Sequence, residues 1–441
     1  MGLVHVWEDE RDKPNIEITG KDRGRNILYG RRIDDPKIKV VRVGIDIPRP
    51  QHYLQIRQGN KVYEQEANSP VLNYYRRLVC ILGGASQLLS TSFTIRKQDN
   101  TLDTNDYTPL ISTSNNAHDV ETVSTYGYCS AINLDTYGIV VGSGNTGWVI
   151  DDYTPETLIL QGTAAGKLVY SGTPTPIISY SGGVWTVLGR RLFDNFNADA
   201  NTITVKEVCQ LAPLYPVSTY SFSFVDERTV LVTPRDIPYK SGAIFTYTRT
   251  LTIPALDVLL PNGVAILLAN ACGLNNYDAG GVAGSGHRSC KDIAGTIVST
   301  AQMILRHASA TGSIIYDATL GDLTKGCVLG YGNKAVADGD YTLGSQFAHG
   351  VNENQLSYQA QDTPSGVYDS PSKTFTVTRS RTAINSYVGS QIVKEIGIIG
   401  YYKIYSLYYS LLMSRTVLGS PVTLAQNESI SIIYDFNMTH P

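Results

Sequence analysis

The feature that most constrains this 441-residue chain is an internal repeat with a long period. GIVVGSGNTGWVIDDYT at 138–154 aligns with GCVLGYGNKAVADGDYT at 326–342, an offset of 188. Eight of the 17 positions are identical: Gly138, Val140, Gly142, Gly144, Asn145, Asp152, Tyr153 and Thr154. At the same offset Gly162 meets Gly350, Leu168 meets Leu356 and Tyr170 meets Tyr358. Further on, WTVLGRR (185–191) resembles FTVTRSR (375–381), VKEV (205–208) matches VKEI (393–396), and RTVL (228–231) recurs at 415–418. SGAIFTYTRTLTI (241–253) corresponds in pattern to NESISIIYDFNMT (427–439). Order and spacing kept over about 115 residues predict a duplicated unit.

The repeat extends upstream. SPVLNYYRRLVCILGG (69–84) predicts a helix with Ser69 as N-cap and Pro70 in the first turn, and with Val71, Tyr75, Leu78 and Leu82 on one face. LPNGVAILLANACG (260–273) opens on Pro and closes on Gly in the same way. The predicted organisation is an N-terminal arm at 1–50, a first unit at 51–254 and a second at 255–441.

Inside each unit the pattern is that of strands. KTFTVTRSR places Phe375 and Val377 on one face, and NESISIIYDFNMT does so with Ile430, Ile432, Tyr434 and Phe436. GAIFTYTRTLTI alternates Ile244 or Phe245 with Tyr247, Arg249 and Leu251. Turn signals between such runs predict a mainly β fold: two tandem β-sandwich, jelly-roll-like units, each with one or two short helices. KDIAGTIVSTAQMILRHAS (291–309) reads either way; Ile293, Ile297, Ala301 and Ile304 suit a helix, Gly295 and the β-branched residues oppose it. The pieces 85–137 and 255–325 read as the variable part of each unit, with loops at 85–137 and 273–325.

Composition narrows the function classes. Charged residues make up 17% and the net charge is −3, which predicts no global attraction to nucleic acid or anionic membrane. No apolar run reaches the length of a membrane span, and MGLVHVWEDERDKPN lacks the apolar core of a secretory signal. Cys80, Cys129, Cys209, Cys272, Cys290 and Cys327 form no C-x-x-C and read as reduced, buried thiols. His287 and Cys290 are the one close metal-type pair, and two ligands do not make a zinc site. No metal, cofactor or catalytic residue is predicted. The segment 20–42 carries eight Lys or Arg against three Asp; with Arg23, Arg25, Arg31 and Arg32 it reads as an extended assembly arm that orders on a neighbouring subunit.

GSGNTG at 142–147 is the one dinucleotide-type G-x-G-x-x-G candidate. After Gly147 the residues WVIDDYTPETL oppose the helix such a site needs, and the second copy has Ala335 at the third glycine. What both copies keep is Gly142, Gly144, Asn145, Asp152 and Tyr153, and Gly330, Gly332, Asn333, Asp340 and Tyr341. These read as a repeated turn in which Asn beside Gly signals positive φ and the Asp caps a backbone N–H.

The G-x-G-N turn, the D-Y-T segment, the TV…R…F…N strand, the VKEV/VKEI strand and the closing RTVL run together resemble a family of virion proteins from tailed bacteriophages. GNKVYEQEANSPVLNYYRRL (59–78) resembles that family's N-terminal strand and helix. The similarity covers most of 59–254 and 326–441, and departs from the family in carrying two units; Gly242 of the first closing run becomes Glu428 or its neighbour in the second. The resemblance implies a non-enzymatic structural protein of the virion, assembled in the bacterial cytoplasm and acting in the head–tail neck, tail or baseplate. Its partners would be further copies of itself, in a ring, and other virion proteins. The alternative is a tail-fibre, receptor-binding or head-decoration protein whose Tyr- and Asn-rich loops at 85–137 and 273–290 meet host-surface glycans.

Overall fold

The computed structural model describes residues 20–22, 25–27, 38–47, 49–68, 70–82, 95–103, 132–172, 177–181, 184–217, 220–252, 260, 290–298, 316–337, 339–404 and 407–441. The fold is mainly β. Strands β1 (Gly20–Asp22) and β2 (Arg25–Ile27) form a short antiparallel pair, followed by β3 (Ile38–Asp46). Strands β4 (Gln51–Gln58) and β5 (Lys61–Glu66) make a hairpin whose tight turn holds Gly59 at φ 56°. Helix α1 (Leu72–Leu82) comes next, then a small hairpin of β6 (Ile95–Arg96) and β7 (Leu102–Asp103).

The first body is completed by β8 (Gly138–Gly142), β9 (Val169–Tyr170), β10 (Ile177–Ser181), β11 (Val184–Asp194), β12 (Ile203–Val217), β13 (Tyr220–Ile237) and β14 (Gly242–Thr252). One sheet has the order β10-β11-β14-β4-β5, with β9 also on β11; the other is β13-β12-β8. Chain order β11, β12, β13, β14 crosses to the second sheet and returns, so β14 lies beside β11, a Greek-key return split over two sheets. Leu54, Ile56, Phe193, Phe245 and Tyr247 from one sheet and Val140, Val205, Val208, Leu211 and Val225 from the other bury a single core. Each large aliphatic or aromatic side chain so buried contributes about 1.5–3 kcal/mol. Phe245, not Ile244, faces this core.

After a second small hairpin of β15 (Cys290–Lys291) and β16 (Ile297–Val298), the second body contains β17 (Gly326–Gly330), β18 (Ala348–His349), β19 (Gln355–Gln361), β20 (Ser365–Asp369), β21 (Thr374–Ile384), β22 (Gln391–Ile404), β23 (Leu407–Leu424) and β24 (Ser429–Thr439). Its sheets are β17-β22-β23 and β18-β19-β21-β24-β3, with β20 also on β21. The strands that carry the sequence repeat therefore pair in the same order in both halves. The closing strands fix the register of that repeat: Asp194 pairs with Gly242 and Ile384 with Ser429, so Ser429 stands at the place of Gly242.

The last part of the segment expected as an extended assembly arm is a strand paired within this chain. This is β3, nine residues whose IKVVRVGID alternation buries Val41, Val43 and Ile45. β3 runs parallel to β24, from Ser429↔Ile38 to Asn437↔Asp46. Alternating β-branched residues explain this; basic residues interleaved with Gly, Pro and Tyr suggest an arm. Arg25 lies in β2, and Arg23, Arg31 and Arg32 fall outside the described residues.

Helix α1 starts at Leu72, with Val71, Tyr74, Tyr75 and Val79 buried; the side chains of Leu78 and Leu82, and Ser69 itself, lie outside the described residues. The helix lies against β13 of the first body and β21 and β24 of the second. Of the second expected helix only Leu260 is described, but its N–H reaches Met413 O at 2.8 Å as that of Val71 reaches Asp226 O at 3.1 Å. The ambiguous stretch opens as a hairpin, because Asp292 accepts N–H bonds from Ala294 and Thr296 and turns the chain at Gly295, φ 83°. So Ile293 and Ile297 do not share a helical face; Ala301, Ile304, His287 and most of the variable loops lie outside the described residues.

Candidate functional site: a buried glutamate–arginine–aspartate clamp in each half

The repeated motifs converge in space. In the first half Glu207 of β12 lies directly opposite Gly142 of β8, as Glu395 of β22 lies opposite Gly330 of β17 in the second. Each glutamate follows a register shift in its strand, Val205/Glu207 and Val393/Glu395. Such bulges re-aim side chains. Both carboxylates are completely buried, and each meets the arginine of an RTVL run. Arg228 Nε donates to Glu207 Oε2 at 2.7 Å, and Arg415 Nε to Glu395 Oε2 at 2.8 Å.

The aspartate of each D-Y-T segment takes the other side of the guanidinium. Arg228 Nη1 lies 2.9 Å from Asp152 Oδ2, and Arg415 Nη1 2.5 Å from Asp340 Oδ2. The same aspartate oxygens accept the N–H of Val149 at 3.0 Å and of Ala337 at 2.8 Å. The remaining guanidinium nitrogens bond carbonyls of the glycine loop: Thr146 O at 3.0 Å, and Lys334 O at 2.8 Å. Burial alone would lower the Arg228 pKa, but the bonds to Glu207 and Asp152 outweigh it and raise it.

Backbone N–H groups complete the glutamates. Glu207 accepts from Glu156 at 3.2 Å and Thr157 at 3.0 Å; Glu395 accepts from Gly332 at 3.1 Å, Gly344 at 3.0 Å and Ser345 at 2.8 Å. The glycines are there for this close approach. A Cβ on Gly142 would stand 2.7 Å from Thr157 O and run into Glu207; on Gly330 it would stand 2.7 Å from Ser345 O and run into Glu395. This corrects the positive-φ reading of the turn, since Gly142, Gly144, Asn145, Gly330, Gly332 and Asn333 all keep φ outside the left-handed region. Left-handed glycines do occur at the strand starts, Gly138 (φ 81°) and Gly326 (φ 78°).

Tyr153 and Tyr341 are half-buried, each under a cation from the small hairpin of its half. The Arg96 guanidinium lies 4.1 Å from the Tyr153 ring centre and the Lys291 ammonium 5.3 Å from that of Tyr341. Asn145 and Asn333 are exposed.

Sequence reasoning missed a second pair of buried arginines. Arg191 of β11 and Arg381 of β21 end the WTVLGRR and FTVTRSR runs, and both are almost wholly buried. Arg191 donates to Ser171 O at 2.7 Å and Ile139 O at 2.8 Å; Arg381 donates to Gln359 O at 2.8 Å and Cys327 O at 3.0 Å. Each lies over a matched tyrosine, Tyr170 at 4.7 Å and Tyr358 at 4.9 Å. Burial pushes Arg191 down to about 10 and lifts both tyrosines above their ordinary value. The hydroxyl of Tyr358 donates to Leu329 O at 3.2 Å and accepts from Leu329 N at 3.0 Å, tying one sheet to the other. Asn195 and Asn385 pin the closing hairpins by side-chain bonds to Ile237 O at 2.7 Å and Leu424 O at 2.8 Å. The R and N of the TV…R…F…N pattern carried this signal.

One buried polar group is confined to the first half. Glu227 of β13 accepts from Arg249 of β14 at 2.9 and 3.0 Å and lies 2.7 Å from His52 Nδ1 of β4. Burial raises the Glu227 pKa, but the charges of His52 and Arg249 outweigh it and hold it low. Among the described residues His52 Nε2 and Glu227 Oε1 are buried without a hydrogen-bond partner.

Every charged group of the two clamps is spent on another group of the same clamp. What they do is hold the glycine loop and the D-Y-T segment against the central strand. Cys209 and Cys327 are buried free thiols, raised by burial, Cys327 to about 11. Among the described residues no three His, Cys, Asp or Glu side chains gather as metal ligands, and no helix is long and apolar enough to cross a membrane. No family model, curated protein or solved structure matches the chain.

Proposed function

We propose that this protein is a structural, non-catalytic component of a tailed-bacteriophage virion, built from two copies of one β unit and assembled as a ring with other virion proteins. The observation that carries the reading is the clamp. The residues on which the family resemblance rests are the residues that bond one another in each half: Gly142, Asp152, Glu207 and Arg228, and Gly330, Asp340, Glu395 and Arg415. A framework motif built twice in one chain lets that chain fill two quasi-equivalent places in a symmetric assembly, halving the number of chains needed. Neck, tail and baseplate are the positions such a ring would take. Particle mapping with this chain localised, together with mass spectrometry of purified virions, tests the proposal. A closed ring containing the chain is expected. Particles without the chain, or a chain that sediments only as a monomer and occupies no ring, would overturn it.

A further inference from the structure

Among the described residues the second body supplies no edge strand of its own to β24. In the first body β14 is covered by the β4–β5 hairpin, eight and six residues that precede α1. Its counterpart in the second body would have to precede Leu260. Between the end of β14 at Thr252 and Leu260 lie only the seven residues 253–259, too few for such a hairpin. An uncovered β24 would present a row of unpaired N–H and C=O groups, a template for any strand of matching pattern.

β3 fills the place, and in the chain it precedes the whole of the first body. Its ladder on β24 spans all nine residues. Val41, Val43 and Ile45 enter the core, Arg42 pairs with Asp435, and Lys39 Nζ lies 3.2 Å from Glu428. Ile47 N–H reaches Asn437 O at 2.9 Å, and Arg49 reaches His440 O at 2.8 Å. Only Ile47, Pro48, Arg49 and Pro50 join this strand to β4. A hinge as short as four residues invites exchange of the element it carries between identical chains.

We infer that β3 is a donor strand, and that in the assembly it seats on β24 of a neighbouring copy, so that the edge it covers is the contact surface between copies of this chain. The inference rests on the ring reading for its setting but not for its geometry. Exchange keeps every bond of the β3–β24 ladder while linking the first body of one chain to the second body of the next. The occupant is specific: a strand of I-x-V-V-x-V-x-I pattern with Arg at the position of Arg42, facing Asp435.

The test uses the full chain. Arg42 and Ile433 are Cα partners in the ladder. Chains carrying Arg42→Cys and Ile433→Cys singly are unfolded, refolded as a mixture and oxidised, with each refolded alone as the baseline for native thiols. The expected result is a covalent mixed dimer severalfold above that baseline; a mixture no richer in dimer than the single chains overturns the inference. A chain with both substitutions, oxidised within itself, keeps β3 at home and is expected to lose most of its oligomer on sedimentation. If that locked chain oligomerises as fully as wild type, strand exchange is wrong while the ring stands. A mixed dimer from chains that never close into larger oligomers overturns the ring and leaves the exchange.

Discussion

Two regions of each half share a backbone and differ in how strictly the two halves keep the chemistry. Around the glycine loops, Glu207, Arg228 and Asp152 are matched one for one by Glu395, Arg415 and Asp340, with the arginine–glutamate bond at 2.7 and 2.8 Å. On the neighbouring strands the match breaks. Arg249 pairs with Val187 and His52, whereas at the same ladder positions Phe436 pairs with Val377 and Ile45. Glu227 opposite Gln210 becomes Ser414 opposite Ile398. A buried polar trio in one half is thus Ile, Ser and Phe in the other. Well-packed apolar residues replace buried ion pairs at little or no cost. The clamp has no such freedom, because its glutamate also satisfies backbone N–H groups that no apolar side chain can serve.

The largest effect is expected from breaking a clamp on one side. Arg415→Ala or Arg228→Ala strands a buried glutamate and is expected to cost about 3–5 kcal/mol, read by urea unfolding. A loss under about 1 kcal/mol in either half would mean that the pair behaves like a surface ion pair and the clamp does not hold the loop. Next come Gly142→Ala and Gly330→Ala. Both press a Cβ on a carbonyl oxygen at the same 2.7 Å, so both are expected to lose about 1–3 kcal/mol, and to a similar extent. Clearly unequal melting shifts would break the equivalence of the two loops.

A transplant sharpens the contrast. His52→Ile with Glu227→Ser and Arg249→Phe gives the first half the interior of the second, and little change in stability is expected at neutral pH. The acid response is expected to change. Glu227 is held below its ordinary pKa, so its stabilisation is present above the ordinary carboxylate range and is lost as pH falls through the lowered value. Melting curves from pH about 7 to about 3 should therefore be flatter in the transplant than in wild type; parallel curves would remove Glu227 as the cause.

The smallest effect belongs to Glu156, which stands where the second half has Gly344 and caps Thr146 N–H at 2.7 Å. Its carboxyl is held low chiefly by that bond. Glu156→Gly is expected to lower the melting point slightly, and less in high salt because Arg228 is its charged neighbour at 3.6 Å. A loss as large as that of Arg228→Ala would show that Glu156, and not Glu207, carries the clamp.

Much of the framework was legible in the sequence. Strand alternation in TFTVTRSR and SISIIYDF named the residues that face the core, and the repeat singled out the glycines and aspartates of the clamp, while its glutamates and arginines stood unmarked within the VKEV/VKEI and RTVL runs. What the letters hid was their mutual contact. Gly142 and Glu207 lie 65 residues apart, and only antiparallel pairing brings them opposite. G-x-G-N signals positive φ, yet it answers to the bulk of a neighbouring carboxylate. Arg191 and Arg381 sit at core-facing positions of an alternating strand, where a charged residue reads as a break in the pattern; the ring of carbonyls that accepts them comes from strands distant in sequence. β3 reads as part of an arm because a lone strand without its hairpin partner carries no turn signal to announce it.

The parallel seating of β3 also sets a clock. Arg42 and Asp435 are 393 residues apart. A ribosome adding about 5–20 residues per second takes roughly 20–80 s to pass from one to the other. For that interval an apolar, alternating strand has been made and its edge has not. The first body can condense around its own hairpin meanwhile, but β3 has no partner in its own chain through the synthesis of almost everything else, and is open to chaperones, to degradation and to the β24 edge of finished chains nearby.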